Sequence, residues 1–241
     1  MNKEINQKTV RFSDAIWYKP KTQVLIGGAG GIGSWLALSL ARQECKIAIY
    51  DNDIINEVNM AGQFYQVNQI NDSKVSRVRD NVELFTNEYI TTFNVRYDKD
   101  SMCSPITFSA FDNLSSRKLM FEKWVEYRAN SLKNNTNEPF VFIDGRLLAE
   151  SMQIFLVYND ETISNYRTYL WDDSEVADAP CSYKATTYCS MIIAGMMTAL
   201  FNNYMSNYIS NSLVRNIPFL TKIDLPVMNM DFINKEYENI C

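Results

Sequence analysis

The sequence predicts an α/β fold, a mostly parallel sheet continued at one end by antiparallel strands. Three observations carry this. Short apolar runs alternate with helix-period segments along the first half of the chain. A glycine-rich turn stands between the first run and the first helical period. Beyond Asp144, two apolar runs follow each other too closely to leave room for a crossover helix.

Residues 1–20 are polar until the aromatics Phe12, Trp17 and Tyr18, and read as an arm leading to Pro20. Residues 23–27 read as a buried strand, 32–42 as a helix with Trp35, Leu36, Leu38 and Leu40, and 46–50 as a second strand. This βαβ unit has the length of a nucleotide-binding half. Asn71-Asp72-Ser73 is a helix start, with Val75, Val78, Val82 and Phe85 on one face. Strands are expected at 91–95, 106–111 and 139–143, the last two separated by a helix over 115–131. Runs at 152–158 and 162–170, joined by Asn159-Asp160, suggest an antiparallel hairpin. Residues 189–205 read as a buried helix with Cys189, Ile192 and Ile193 on its apolar face, and 219–227 as a last strand. The acidic stretch 172–178 has the composition of a surface loop. Met196 and Met197, beside the small residues Ala194, Gly195 and Ala199, are candidates for a dimer face.

With 241 residues and 46% hydrophobic content, the chain is long enough for one well-buried domain over 1–241, with an arm at 1–20 and a loop at 171–184. A net charge of -5 argues against a nucleic-acid partner, because affinity for phosphate backbones needs clustered Lys and Arg. The N-terminus has no signal-peptide pattern, and the apolar run 189–201 is too short to cross a bilayer, so no membrane association and a cytoplasmic location are expected. Five cysteines without a CxxC pair predict reduced thiols and no structural zinc. The chain has no histidine. That removes Ser-His-Asp and Cys-His nucleophiles, His bases and His-ligated metals, and leaves carboxylates, amines, thiols and metal-bound phosphates.

In open α/β sheets, ligands bind at the carboxyl ends of strands. Three apolar runs here are followed by aspartates: Asp51, Asp112 and Asp144. Any one of them serves equally well as a helix cap or turn residue. Three on one edge, beside Gly28-x-Gly30-Gly31-x-Gly33, point to a nucleotide and metal site. Asp51 has the spacing of a residue that accepts ribose hydroxyls, which fits an NAD-dependent oxidoreductase as well as an ATP enzyme. The stretch 51–74 separates the two. It adds Asp53, Asn59, Gln63 and Lys74, for which a dehydrogenase has no use. An enzyme that cuts ATP must neutralise a triphosphate with amide donors, a metal and at least one cation. Lys74 falls in the first turn of an expected helix, where the macrodipole disfavours positive charge.

The motif series GAGGIGS, Asp51-x-Asp53, Asn59-x-x-Gly62-Gln63, Lys74 and Asp112-Asn113-x-x-x-Arg117 resembles the ThiF/MoeB/HesA family, prokaryotic members of the ubiquitin-activating enzyme superfamily. Order and spacing agree from Gly28 to Arg117, and a weaker resemblance continues through Cys181 to the end. The resemblance implies a Rossmann-like ATP-binding domain that adenylates the C-terminal carboxylate of a small ubiquitin-fold carrier protein or of a peptide. It implies that Gly28, Gly30, Gly31 and Gly33 lie under ATP and that Asp51 holds the ribose. Asn59 and Lys74 would contact the phosphates, Asp112 would bind Mg²⁺, and Asp53, Gln63, Asn113 and Arg117 would belong to the same site. It also implies a homodimer. The missing histidine agrees with such a reaction, because a carboxylate of pKa about 3.5 is ionised at neutral pH and needs no base.

Two positions depart from the family pattern. Gly62 stands where the family has a phosphate-binding arginine, and the N-terminal R-Y-x-R element is present only as Arg11-Phe12-Ser13-Asp14. Arg11 supplied to a partner subunit's site, Arg77 or Arg117 would compensate; otherwise the chain is a catalytically impaired binding subunit of a heterodimer. Cys181, in the crossover position of the family, is a candidate acyl acceptor or a small buried side chain.

Overall fold

The computed structural model describes residues 8–170 and 186–234, so the acidic stretch 172–178 and Cys181 lie outside the described residues. Among the described residues, eight strands form one sheet in the order β3-β2-β1-β4-β5-β6-β7-β8. The parallel part is β1 (Gln23–Gly27), β2 (Lys46–Tyr50), β3 (Thr91–Phe93), β4 (Ile106–Ser109) and β5 (Val141–Leu148). The antiparallel part adds β6 (Ser151–Val157), β7 (Leu220–Asp224) and β8 (Asn229–Ile233).

Side-chain alternation divides the core in two. Val24 and Ile26, Ile47 and Ile49, Ile106 and Phe108 face one side, where α1 (Gly31–Arg42), α2 (Lys74–Thr86) and α5 (Thr187–Ser210) cover them. Leu25, Tyr50, Phe142 and Phe155 face the other, against α3 (Leu114–Lys133) and α4 (Asp160–Arg167). The connection leaving β1 therefore runs over one face and the connection leaving β4 over the other. The crevice between their carboxyl ends is a topological switch point.

Several expectations change. Residues 160–167 are helix α4, not a strand: Asn159 accepts a hydrogen bond from the Thr162 N–H at 2.8 Å, a helix cap, and Ile163 and Tyr166 share its buried face. The hairpin is instead β5–β6, turning at Ala149 (φ 55°). The last strand ends at Asp224, and a turn through Pro226 leads into an additional edge strand, β8. On α2, Val75, Val78 and Val82 are buried as expected, but Phe85 is 50% exposed and Thr86 takes the fourth core position. On α5, Ala194 and Met197 belong to the core, Ile192 is exposed beside the buried Cys189 and Ile193, and Gly195 and Ala199 are exposed. Among the described residues no helix is long and apolar enough to cross a membrane.

The described part of the arm, residues 8–20, packs far from the switch point. Lys8 Nζ donates to the Thr86 carbonyl at the end of α2, and the Tyr18 hydroxyl donates to Glu44, just past α1. Both anchors lie at the trailing ends of these helices, beside the edge where the strands begin. The 12 residues of α1 put about 18 Å between that edge and the glycine loop.

Candidate active site

The register of the parallel strands sets Tyr50, Gly27, Ser109 and Asp144 in one row across β2, β1, β4 and β5. The loops that leave this row build the site.

Gly28 turns out of β1 at φ +94°, and a Cβ there would meet the Ala110 carbonyl oxygen at 2.7 Å. Gly33, in the first turn of α1, packs so closely on Gly28 that its Cβ would fall 1.8 Å from the Gly28 oxygen. Gly30 differs: a Cβ there meets only Gln63 Nε2, at 4.0 Å, and α1 begins at it without a side-chain cap or an acidic residue in the first turn. The loop is thus tight where it turns and open where the helix presents its amides. Gly33→Ala is expected to cost about 1–3 kcal/mol through forced backbone shifts, lowering Tm by about 2–4 °C per kcal/mol in a chain of this length. Gly30→Ala is the control that should leave Tm in place. Equal melting of the two would mean that the turn relaxes freely.

The Ala29 peptide is held from both sides. Its N–H donates to Asp51 Oδ2 at 2.7 Å, and its carbonyl accepts from the Tyr65 hydroxyl at 2.6 Å. Asp51 Oδ1 accepts the Asp53 N–H at 2.8 Å. Burial raises the Asp51 pKa, against the opposing pull of the Ala29 N–H and of Lys74. Burial together with Asp51 and Asp53 raises that of Tyr65 well above its usual value, which keeps the hydroxyl a neutral donor. Lys74, 7% exposed, places Nζ 2.8 Å from Asp53 Oδ2, and its own N–H bonds the Asp53 carbonyl.

The segment between Asp53 and Lys74 forms one wall. Two short 3-10 turns, Glu57–Ala61 and Val67–Gln69, carry it. Asn59 Oδ1 accepts the Asn56 N–H at 2.8 Å, leaving Nδ2 to donate. The wall is tied to the core by Trp35 Nε1 to the Gly62 carbonyl, the Phe64 N–H to Ser34 Oγ, and Asn81 Nδ2 to the Phe64 carbonyl. Thr187, opening α5, donates to the Ala61 carbonyl. Gln63 Oε1 is buried with no hydrogen-bond partner among the described residues, beside the open face of Gly30. Tyr65, Ser34, Trp35 and Asn81 carry no sequence signal for these roles, because each bonds a backbone group that any residue possesses.

On the other side of the crevice, Asn113 caps α3, accepting from the Ser116 N–H at 2.8 Å, and its Nδ2 touches Asp112 Oδ1 at 3.2 Å. Asp112 is exposed. It leaves the sheet from β4 and Asp51 from β2, with β1 between them, so the two loops arise about 10 Å apart on the same rim. Arg117, expected at the nucleotide, is 6% exposed and committed to protein acceptors: Nη1 to Asp144 and the Gly145 carbonyl, Nη2 to the Phe111 carbonyl. Asp144 corrects the expectation of a strand-end carboxylate. β5 continues through it to Leu148, and it is fully buried between Arg117 and Arg146, whose Nε donates to Asp144 Oδ2 at 2.8 Å. Arg77 is paired with Asp72 and Asp80, and Arg11 is exposed on the distant arm. Among the described residues no group of three His, Cys, Asp or Glu gathers as a metal cage. A Mg²⁺ carried on a triphosphate needs only one or two carboxylates beside the phosphates, and Asp112 is open enough to be one.

Comparison with known proteins bears on the fold. The model of the ThiF family matches residues 20–241. No curated protein matches the chain. Among solved structures, E. coli MccB with ATP superposes with a TM-score of 0.69 at 14% identity, covering 100% of this chain and 74% of its own. MccB with selenomethionine MccA gives 0.68 at 14% identity, covering 99% and 74%. Selenomethionine PaaA gives 0.67 at 15%, covering 96% and 75%. At these identities the likeness is one of fold.

Proposed function

Because the chain belongs to the ThiF family, we propose that it is an adenylyltransferase that activates the C-terminal carboxylate of a small ubiquitin-fold carrier protein or a peptide with ATP and Mg²⁺. One observation carries the reading: an open helix N-terminus at Gly30, a buried Lys74 and an exposed Asp112 share the rim of a single switch-point crevice. The MccB crystals that hold ATP in one case and MccA in another support a nucleotide joined by a second substrate.

In this reading the α1 amides, Asn59 Nδ2 and Lys74 bind phosphate oxygens, Gln63 lies beside them, and the free lone pairs of Asp51 accept ribose hydroxyls. Asp112 would hold Mg²⁺ beside the phosphates, where the ion would supply positive charge against the departing pyrophosphate. The substrate carboxylate, already ionised, forms its bond to the α-phosphorus as the α–β P–O bond breaks. Pyrophosphate leaves with the electron pair, and no protein base is required. The residues align the reactants and neutralise charge, which suits a chain without histidine.

The missing cation at Gly62 remains to be supplied. Arg77 and Arg117 have carboxylate partners already, whereas Arg11 is exposed on an arm docked at the opposite edge of its own sheet. This favours a homodimer in which each arm serves the other copy's crevice. The same deficit favours, as a second reading, an impaired subunit that binds ATP without turnover. Exchange of labelled pyrophosphate into ATP separates them, with a Gly-Gly-ending carrier in one arm and a short peptide with a free C-terminus in the other. Adenylation predicts exchange in one arm and its loss in Arg11→Ala. ATP binding without exchange in either arm supports the impaired subunit, and an unchanged rate in Arg11→Ala removes the trans arginine. Transfer to Cys181 would give a thiol-sensitive adduct, absent in Cys181→Ala.

A further inference from the structure

Arg117 occupies a costly place. It is a buried cation in the first turn of α3, where the helix dipole opposes it. Two guanidiniums and one carboxylate buried together seldom stabilise a fold more than apolar side chains of the same volume would. Their contacts point to a geometric role. Arg117 Nη2 donates to the carbonyl of Phe111, the residue immediately before Asp112. The same short loop lies against the glycine turn: the Ala110 N–H bonds the Gly27 carbonyl at 2.8 Å, and the Phe111 ring fills the space a Cβ on Gly27 would need. On the far side, Arg146 is fixed by the Tyr169 carbonyl at 3.2 Å and lies 4.6 Å over the Phe155 ring.

We infer that Arg146, Asp144 and Arg117 form a strut from the sheet core to the Phe111 carbonyl, and that this strut sets where Asp112 stands relative to the glycine loop. Arg117 and Asp144 are then positioning residues. The role of Asp112 rests on the adenylation reading; the strut itself does not.

The test compares wild type with Arg117→Lys, which keeps the charge but loses the fork. Arg146→Lys, which leaves the Phe111 contact in place, is the milder second variant. Amide hydrogen exchange on nucleotide-free protein is expected to quicken in Arg117→Lys at Ala110 and Ser116, whose N–H groups bond the Gly27 carbonyl and Asn113 Oδ1 on either side of the loop, by about tenfold, the worth of one charge-assisted hydrogen bond, with β1 and α5 unchanged. In ATP titrations the Mg²⁺ concentration for half-maximal binding should rise in the same variant, with a smaller rise in Arg146→Lys. Unchanged exchange at Ala110 and Ser116, or a uniform rise across the chain, overturns the strut. Faster local exchange with an unaltered Mg²⁺ requirement overturns its role in placing Asp112. Wild-type protein that binds no ATP sinks the adenylation reading instead, and the exchange data still decide the strut.

Discussion

Lys74→Ala is expected to lower partner-dependent pyrophosphate exchange by about 10²–10³-fold, the loss associated with one preorganised donor to a charged transition state. The residue has little structural reason to be where it is. It starts α2, where a cation opposes the dipole, and its carboxylate partner among the described residues, Asp53, has a side chain 55% exposed. A pair screened to that degree contributes about 0–1 kcal/mol, so the variant should lose little more than the packing of the buried lysine stem while its exchange rate collapses. Side-by-side Tm and exchange measurements check this. Matched losses of stability and rate would make Lys74 a packing residue, and an undiminished rate would remove it from the phosphate site.

The parts legible from sequence are those where local pattern and tertiary role coincide. The boundaries of β1 and β2 follow from apolar runs ended by glycine or aspartate, and Ser73 marks the start of α2 one residue before Lys74. Where two periods overlap, the pattern misleads. Residues 162–170 carry aromatics and β-branched residues suited to a strand, but the Asn159 cap and the i, i+3 spacing of Ile163 and Tyr166 form a helix. A strand read through Pro226 overlooks a proline that takes the second place in a turn, and so misses β8. In the site, the glycines, Asp51 and Lys74 are visible because their chemistry fixes residue type and spacing. Tyr65 is not, since its partner is the Ala29 carbonyl, 36 positions away. The sequence misleads at Asp144 for a related reason: Gly145 and Arg146 end the apolar run, but pairing with β6 extends the strand past them.

Asp144→Asn is expected to destabilise the fold by about 3–5 kcal/mol, because it leaves two guanidiniums buried without a counter-charge. Their side chains are 8% and 16% exposed, so water offers little replacement. The pH dependence identifies the cause. Burial alone would raise the Asp144 pKa, but Arg117 and Arg146 more than reverse this and hold it below the ordinary carboxylate value of 3.8. A folded-state pKa below the unfolded one means that the unfolded chain takes up the proton first as the solution is acidified. The stabilisation from the charged carboxylate is therefore complete above about pH 4 and drains away as pH falls through the lower, folded value. Asparagine has no proton to take up. The difference between wild-type and Asp144→Asn urea midpoints should be widest near neutrality and shrink below about pH 4. A difference of the same size at every pH would place the damage in packing or hydrogen bonding, and would mean that the two arginines are balanced by something other than this carboxylate.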